Sequence, residues 1–214
     1  MALPALLLLI TYAFVTLGLR AMIHFRQTGS FGLNGPSLDA SSMERLGAAL
    51  LTVTVVTGLI GPIVDLRRVL PRIGALNSRG IESIGLVLMA VSIGATFFAQ
   101  LTMGRSWRVG VNRSERTELV TDGVYRWVRN PIYTAMMAAA IGLALAVPNV
   151  LCWIAAGCMI AGLEIQVRFV EEPWLLRQHG VAFARYRATV GRFLPGLGRV
   201  SMRSPAALDS FRSD

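Results

Sequence analysis

The sequence predicts an all-α polytopic membrane protein with about five transmembrane helices, the last two forming a helical hairpin, followed by a polar cytosolic C-terminal segment. Three observations predict it. Of 214 residues, 54% are hydrophobic and only 15% are charged, where a soluble domain carries about 25% charged residues. The mean hydropathy is +0.56. The apolar residues also arrive in blocks long enough to cross a bilayer, which takes about 20 residues of helix. A disordered chain is excluded by the same apolar content.

The first block, Leu3 to Ile23, is long enough to span. It has no basic n-region and no small-residue cleavage site, so it reads as a span rather than a cleaved signal peptide. Arg20, His24 and Arg26 close it and are expected to snorkel to the interface. Residues 27–45 are rich in Gly, Ser and Asn and form a loop, whose Ser41-Ser42-Met43-Glu44 suits a helix cap. Leu46 to Val64 is the second span. Asp65, Arg67, Arg68, Arg72 and Arg79 make the next connection, and Ile81 to Met103 is the third span. Residues 104–130, with six Arg, are the longest polar stretch. Tyr133 to Val147 and Val150 to Val170 follow, separated by the turn signal Pro148-Asn149. So short a turn implies an antiparallel pair. From Glu171 onward the chain is polar and arginine-rich.

This divides the chain into N-terminal spans over 1–100, a core of loop, hairpin and amphipathic segment over 101–197, and a flexible tail over 198–214. Cys152 and Cys158 fall in an apolar run at a spacing that fits neither a redox pair nor a zinc motif. His24 and His179 are too few and too far apart to argue for a metal.

All 21 basic residues are Arg, and the formal net charge is +9. The isoelectric point, about 11.1, would suit nucleic acid. The arginines, however, lie between and after apolar spans, which reads as orientation and attraction to anionic headgroups. No nucleic-acid partner is expected. With the N-terminus outside, residues 24–45, 104–130 and the C-terminal segment share the inner side and hold most of the Arg; residues 65–80 are the exception. The Arg-only usage suggests a bacterial plasma membrane.

Residues 104–133 and 164–195 therefore share the inner mouth of the hairpin. Glu164, Arg168 and Glu171/Glu172 lie on one face at helical spacing, and ionisable groups in an apolar span normally face a partner or a cavity. An ion pair that merely orients the helix is the plainer alternative. In Leu119 to Tyr133, Asp122-Gly123 signals a turn, and Asn130-Pro131 suits a capped helix start with Pro first. Tyr125, Trp127 and Tyr133 would fit an interfacial aromatic belt. They also crowd a helix N-terminus, which attracts carboxylates and phosphates. The stretch Glu171-Glu172-Pro173-Trp174-Leu175-Leu176, then Gly180, Phe183, Tyr186 and Arg192 to Pro195, is amphipathic enough to lie along a membrane surface.

Leu119 to Tyr133 resembles the L-V-T-x-G-x-Y-x-x-x-R-H-P-x-Y segment of the isoprenylcysteine carboxyl methyltransferase family. The later stretch resembles that family's E-E-x-x-L, G-x-x-Y-x-x-Y and closing P. The resemblance covers roughly residues 100–197 and implies a membrane-embedded methyltransferase using S-adenosylmethionine, with S-adenosylhomocysteine as product. It implies that the C-terminal segment is the cofactor-binding part and that 101–197 is the methyltransferase core. Carried over, Leu119 and Val120 would hold the adenosine region, Gly123 would shape the turn, and Tyr125 would line the pocket. Asn130, Pro131 and Tyr133 would surround the methionine moiety. Glu171 or Glu172 would bind its polar end, with Glu172 also near the chemistry. Arg168 would orient a carboxylate substrate. Asn130 stands where the prenylcysteine enzymes have His, and Phe183 replaces the first tail Tyr.

The expected activity is methyl transfer to a lipophilic small molecule or lipid that reaches the site from the bilayer, a carboxylate being one acceptor class. Two other readings use the same features. A membrane sterol or enone reductase would bind NAD(P)H through a similar C-terminal half, and a non-enzymatic scaffold would use the buried charges to line a path.

Overall fold

A computed structural model describes residues 1–32, 40–110 and 118–201. The polar loops expected over 27–45 and 104–130, and the tail over 198–214, are thus described only in part. The described residues are almost wholly helical: α1 (Ala2–Ala13), α2 (Arg20–Thr28), α3 (Ser42–Leu66), α4 (Arg79–Met103), α5 (Pro131–Ala146), α6 (Val150–Ile165) and α7 (Glu172–Thr189). α1 and α2 are one rod joined by a π-helical turn, Phe14–Leu19, and α6 and α7 are joined likewise through Gln166–Glu171. Four of the resulting helices are long and apolar enough to cross a membrane.

The boundaries follow from local chemistry. Ser41 accepts a hydrogen bond from the Glu44 N–H at 3.2 Å and starts α3, as the sequence predicts. Asn149 accepts from the Cys152 N–H at 3.1 Å and starts α6, while its side-chain amide donates to the Gly61 carbonyl of α3 at 2.9 Å. α5 runs for 16 residues, about 24 Å at 1.5 Å per residue, which is short against a hydrocarbon core of about 30 Å. The fourth expected span is therefore a short helix, bounded by Pro131 and by the Pro148-Asn149 turn.

Glycines bring the helices together. An ideal Cβ on Gly85 of α4 would lie 2.5 Å from the Gly142 carbonyl oxygen of α5, and one on Gly142 would lie 2.8 Å from the Gly85 oxygen. α3 meets α6 likewise: a Cβ on Gly61 would lie 2.5 Å from the Cys152 sulfur. In lipid, where apolar surface alone gives little drive, such close backbone approach is what packs helices. Outward positions such as Leu7, Val55, Ile84 and Phe98 are exposed and apolar, as a lipid-facing surface requires.

Arg20 departs from the expected snorkelling. It is fully buried; its Nη2 donates to the Gly104 carbonyl, and its guanidinium lies 4.5 Å from the Trp107 ring centroid. His24 is buried beside the same ring. Arg26 alone of the three is exposed. The partners come from a segment more than eighty residues away, so local sequence carries no sign of them.

At the other end, Arg72 holds Asp65 through two bonds, Nε–Oδ1 at 2.8 Å and Nη2–Oδ2 at 2.6 Å, and Glu82 through Nη1–Oε1 at 2.7 Å. The Asp65 hydrogen bonds push its pKa above the ordinary arginine value. One Arg of the exceptional 65–80 connection is thus neutralised by two buried carboxylates.

Candidate active site

The site is built where the loop before the hairpin meets the segment after it. At Gly123 the backbone turns with φ +58, and a Cβ there would lie 2.7 Å from Thr102 Cγ2, so only glycine fits. The tight turn Gly123–Arg126 follows and buries Tyr125, whose hydroxyl donates to the Ala99 carbonyl at 3.2 Å. Burial raises the Tyr125 pKa well above the ordinary phenol value, so it stays neutral. Tyr186 of α7 donates its hydroxyl to the Tyr125 carbonyl at 2.6 Å. The Arg129 and Asn130 N–H groups donate to the Gly191 and Arg192 carbonyls at 2.8 and 3.1 Å. The C-terminal segment is consequently clasped to the loop, after a kink at Gly180, where φ is +50. It does not run free along a surface.

Asn130 stands at the head of α5, but its side chain caps nothing. Its amide instead donates to the Arg192 carbonyl at 3.2 Å. The expected cap is thus corrected: docking of residues 191–192 draws the amide away, and Asn130 makes no side-chain bond to the first N–H groups of α5.

The two glutamates do different work. Glu172 is buried, and its oxygens are taken by Arg129 Nη2 at 2.7 Å, Arg192 Nε at 2.8 Å and Arg192 Nη2 at 2.9 Å. The hydrogen bond to Glu172 raises the Arg192 pKa further above its ordinary value. Arg129 also donates to the Arg187, Val190 and Gly198 carbonyls. Glu171 instead accepts from the Tyr133 hydroxyl.

Arg129, Tyr133, Glu171 and Glu172 border one cavity of about 760 Å³, inside the range of ~300–1,000 Å³ for small-molecule sites. One end is apolar and lies among the spans, with Leu8, Leu51, Gly58, Leu143 and Met159 in its wall. The other is polar and holds Arg108, Glu118, Asn130, Tyr133, Gln166 and Glu171.

Of the residues singled out in the sequence, Leu119, Val120, Tyr125, Asn130, Pro131, Tyr133, Glu171 and Glu172 all reach this cavity. Gly123 shapes the loop without lining the cavity. Arg168 is not brought there. Its side chain is 52% exposed and pairs with Glu164, so the single face expected for Glu164, Arg168, Glu171 and Glu172 does not exist. The π-helical turn over Gln166–Glu171 is the reason: its wider i→i+5 spacing breaks the 3.6-residue period between Arg168 and the glutamates.

Sequence reasoning missed Gln166, Arg108 and Trp174 in the wall, and the clamp arginines Arg129 and Arg192. Arg129 immediately precedes the Asn-Pro helix start, a position that could have marked it. Nothing local marks the others.

The comparisons with known proteins agree with this architecture. Residues 81–182 match the family model of phospholipid methyltransferases. Protein-S-isoprenylcysteine O-methyltransferase A of Arabidopsis thaliana is 27% identical over 117 residues, covering 54% of this chain and 59% of that protein. Protein-S-isoprenylcysteine O-methyltransferase of Tribolium castaneum is 30% identical over 118 residues, covering 54% of this chain and 42% of that one. The match thus spans less than two thirds of either relative. The solved structure of a eukaryotic intramembrane Ras methyltransferase, isoprenylcysteine carboxyl methyltransferase, superposes with a TM-score of 0.56 at 22% identity, covering 91% of this chain and 68% of that one. The resemblance to the isoprenylcysteine carboxyl methyltransferase family and the all-helical polytopic fold are both borne out.

Proposed function

We propose that this chain, isoprenylcysteine methyltransferase-like in fold, is an integral membrane methyltransferase that uses S-adenosylmethionine and acts on a lipophilic acceptor. The observation that carries the reading is one continuous cavity with unlike ends. Its apolar end suits an acceptor arriving from the bilayer. Its polar end is assembled from the loop and the C-terminal segment that carry the family resemblance.

The residues at the polar end suit this cofactor. Leu119 and Val120 offer apolar contact and backbone groups to the adenosine region, with Tyr125 in the same wall. Asn130, Pro131 and Tyr133 surround the methionine moiety. Glu171 is an acceptor for its ammonium, and the α5 N-terminus, without a side-chain cap, has N–H groups suited to a carboxylate. Glu172 fixes the clasp that closes the site. Bound there, S-adenosylmethionine supplies a methyl group activated by its sulfonium. The protein's part is chiefly proximity and alignment. A carboxylate acceptor is already ionised at neutral pH and needs no general base. We place the N-terminus outside and the polar end on the cytoplasmic side, following the arginine distribution.

The test is incubation of membranes containing the protein with methyl-labelled S-adenosylmethionine and a lipid extract, followed by mass spectrometry. A labelled lipophilic product that depends on the protein is expected. No label above protein-free membranes would overturn the reading.

A further inference from the structure

Among the apolar spans, the cavity wall carries a polar seam. Tyr12 and Thr16 of the first rod, and Thr96 and Gln100 of α4, all line the cavity. Each pair stands one helical turn apart, so the two helices present matching rungs. Tyr12 and Thr96 share a hydrogen bond between their hydroxyl oxygens at 2.9 Å. Gln100 Nε2 donates to the Thr16 carbonyl at 3.0 Å. That carbonyl belongs to the π-helical turn Phe14–Leu19, and the other π-helical turn gives Gln166 and Glu171 to the same cavity. Such turns occur frequently at functional sites.

The seam has hydrogen-bonding capacity left over. Two hydroxyls that share one bond use one hydrogen and keep the other. Among the described residues, Tyr12 and Thr96 have no second side-chain bond to take it. Gln100 is left with the opposite need. Its amide nitrogen is fixed on a backbone carbonyl, and its Oε1 is buried with no hydrogen-bond partner. A bare buried acceptor is costly, and a seam serving only to hold two helices together has no use for one. Ala99, on the same turn of α4 as Gln100, gives its carbonyl to the Tyr125 hydroxyl at 3.2 Å. The seam thus stands where the cofactor end of the cavity gives way to the spans.

We propose that this seam is a subsite for a neutral group that both donates and accepts a hydrogen bond, carried by the lipophilic acceptor: an alcohol hydroxyl or an amide with an N–H. Gln100 Oε1 takes the group's hydrogen, and the Tyr12–Thr96 pair gives a hydrogen to its oxygen. A plain hydrocarbon tail leaves both needs unmet. The inference deepens the methyltransferase reading and rests on it only in calling the ligand an acceptor.

The experiment uses the full chain in neutral-lipid nanodiscs, with bound probe counted by native mass spectrometry. One arm compares dodecanol with dodecyl methyl ether, the other dodecanamide with N,N-dimethyldodecanamide. Methylation removes the donor hydrogen and keeps the acceptor oxygen. The wild type should prefer the unmethylated member of one pair by about tenfold, and the pair that shows it tells hydroxyl from amide. Gln100→Met should erase the preference and leave the methylated member's affinity within about twofold. Tyr12→Phe combined with Thr96→Val should weaken both members alike and keep the preference. A wild type that prefers neither unmethylated probe overturns the proposal and leaves the four residues as a contact between helices. A preference that survives Gln100→Met overturns it as well. Should Gln100→Met fail to fold, the wild-type preference and the hydroxyl variant decide. S-adenosylhomocysteine binding is read in the same samples; its absence counts against the methyltransferase reading, while the paired probes still judge the subsite.

Discussion

Glu172 and Arg192 form a bidentate pair, Nε–Oε1 at 2.8 Å and Nη2–Oε2 at 2.9 Å, with Arg129 on the same carboxylate. This pair closes the C-terminal segment onto the loop that precedes the hairpin. Removing the carboxylate leaves two buried guanidinium groups facing each other. Glu172→Ala should therefore destabilise the protein by about 3–5 kcal/mol. Thermal unfolding in detergent checks this, and an unchanged midpoint would show that the clasp is not held by charge.

Tyr133 tests the cofactor end of the cavity. Tyr133→Phe keeps the ring but removes the hydroxyl that donates to Glu171. Leaving a buried acceptor one donor short costs about 1–3 kcal/mol. That cost lowers the stability of the ligand-free protein; with Glu171 no longer held in place by the hydroxyl, we expect a folded protein with a lower thermal midpoint and weaker S-adenosylhomocysteine binding. Calorimetric titration reads the difference.

Gly123 carries the turn. Gly123→Ala forces an L side chain into positive φ and against Thr102. The conformational cost alone is about 1–2 kcal/mol. The thermal midpoint should fall, and Gly123→Ala combined with Thr102→Ala should recover only the steric part.

Arg168 separates the sequence pattern from the structure. Its pair with Glu164 is exposed, and such pairs contribute about 0–1 kcal/mol. Arg168→Ala should leave S-adenosylhomocysteine affinity within about twofold, because each tenfold needs about 1.4 kcal/mol. A tenfold loss measured by titration would return Arg168 to the site.

Much of this architecture is legible in the residues. The long spans show as apolar runs, Ser41 marks a helix start by its side-chain chemistry, Pro148-Asn149 marks the turn of the hairpin, and Leu119 to Tyr133 carries the cavity loop. The parts that could not be read depend on distant contacts. Arg20 looks like an interfacial arginine until Gly104 and Trp107 are placed beside it. Arg168 shares a helical period with Glu171 until a π-helical turn breaks that period. Asn130 looks like a cap until the Arg192 carbonyl draws off its amide. Arg108 is one of six arginines in a polar stretch, and only the fold turns it toward the cavity.

The central claim is that the loop and the C-terminal segment together bind S-adenosylmethionine. Calorimetric titration of purified wild-type protein with S-adenosylhomocysteine, beside NADPH as the rival nucleotide, tests it most directly. The account predicts saturable binding of S-adenosylhomocysteine near one per chain, weakened in Tyr133→Phe, and none of NADPH. Folded protein that binds NADPH and not S-adenosylhomocysteine would contradict it.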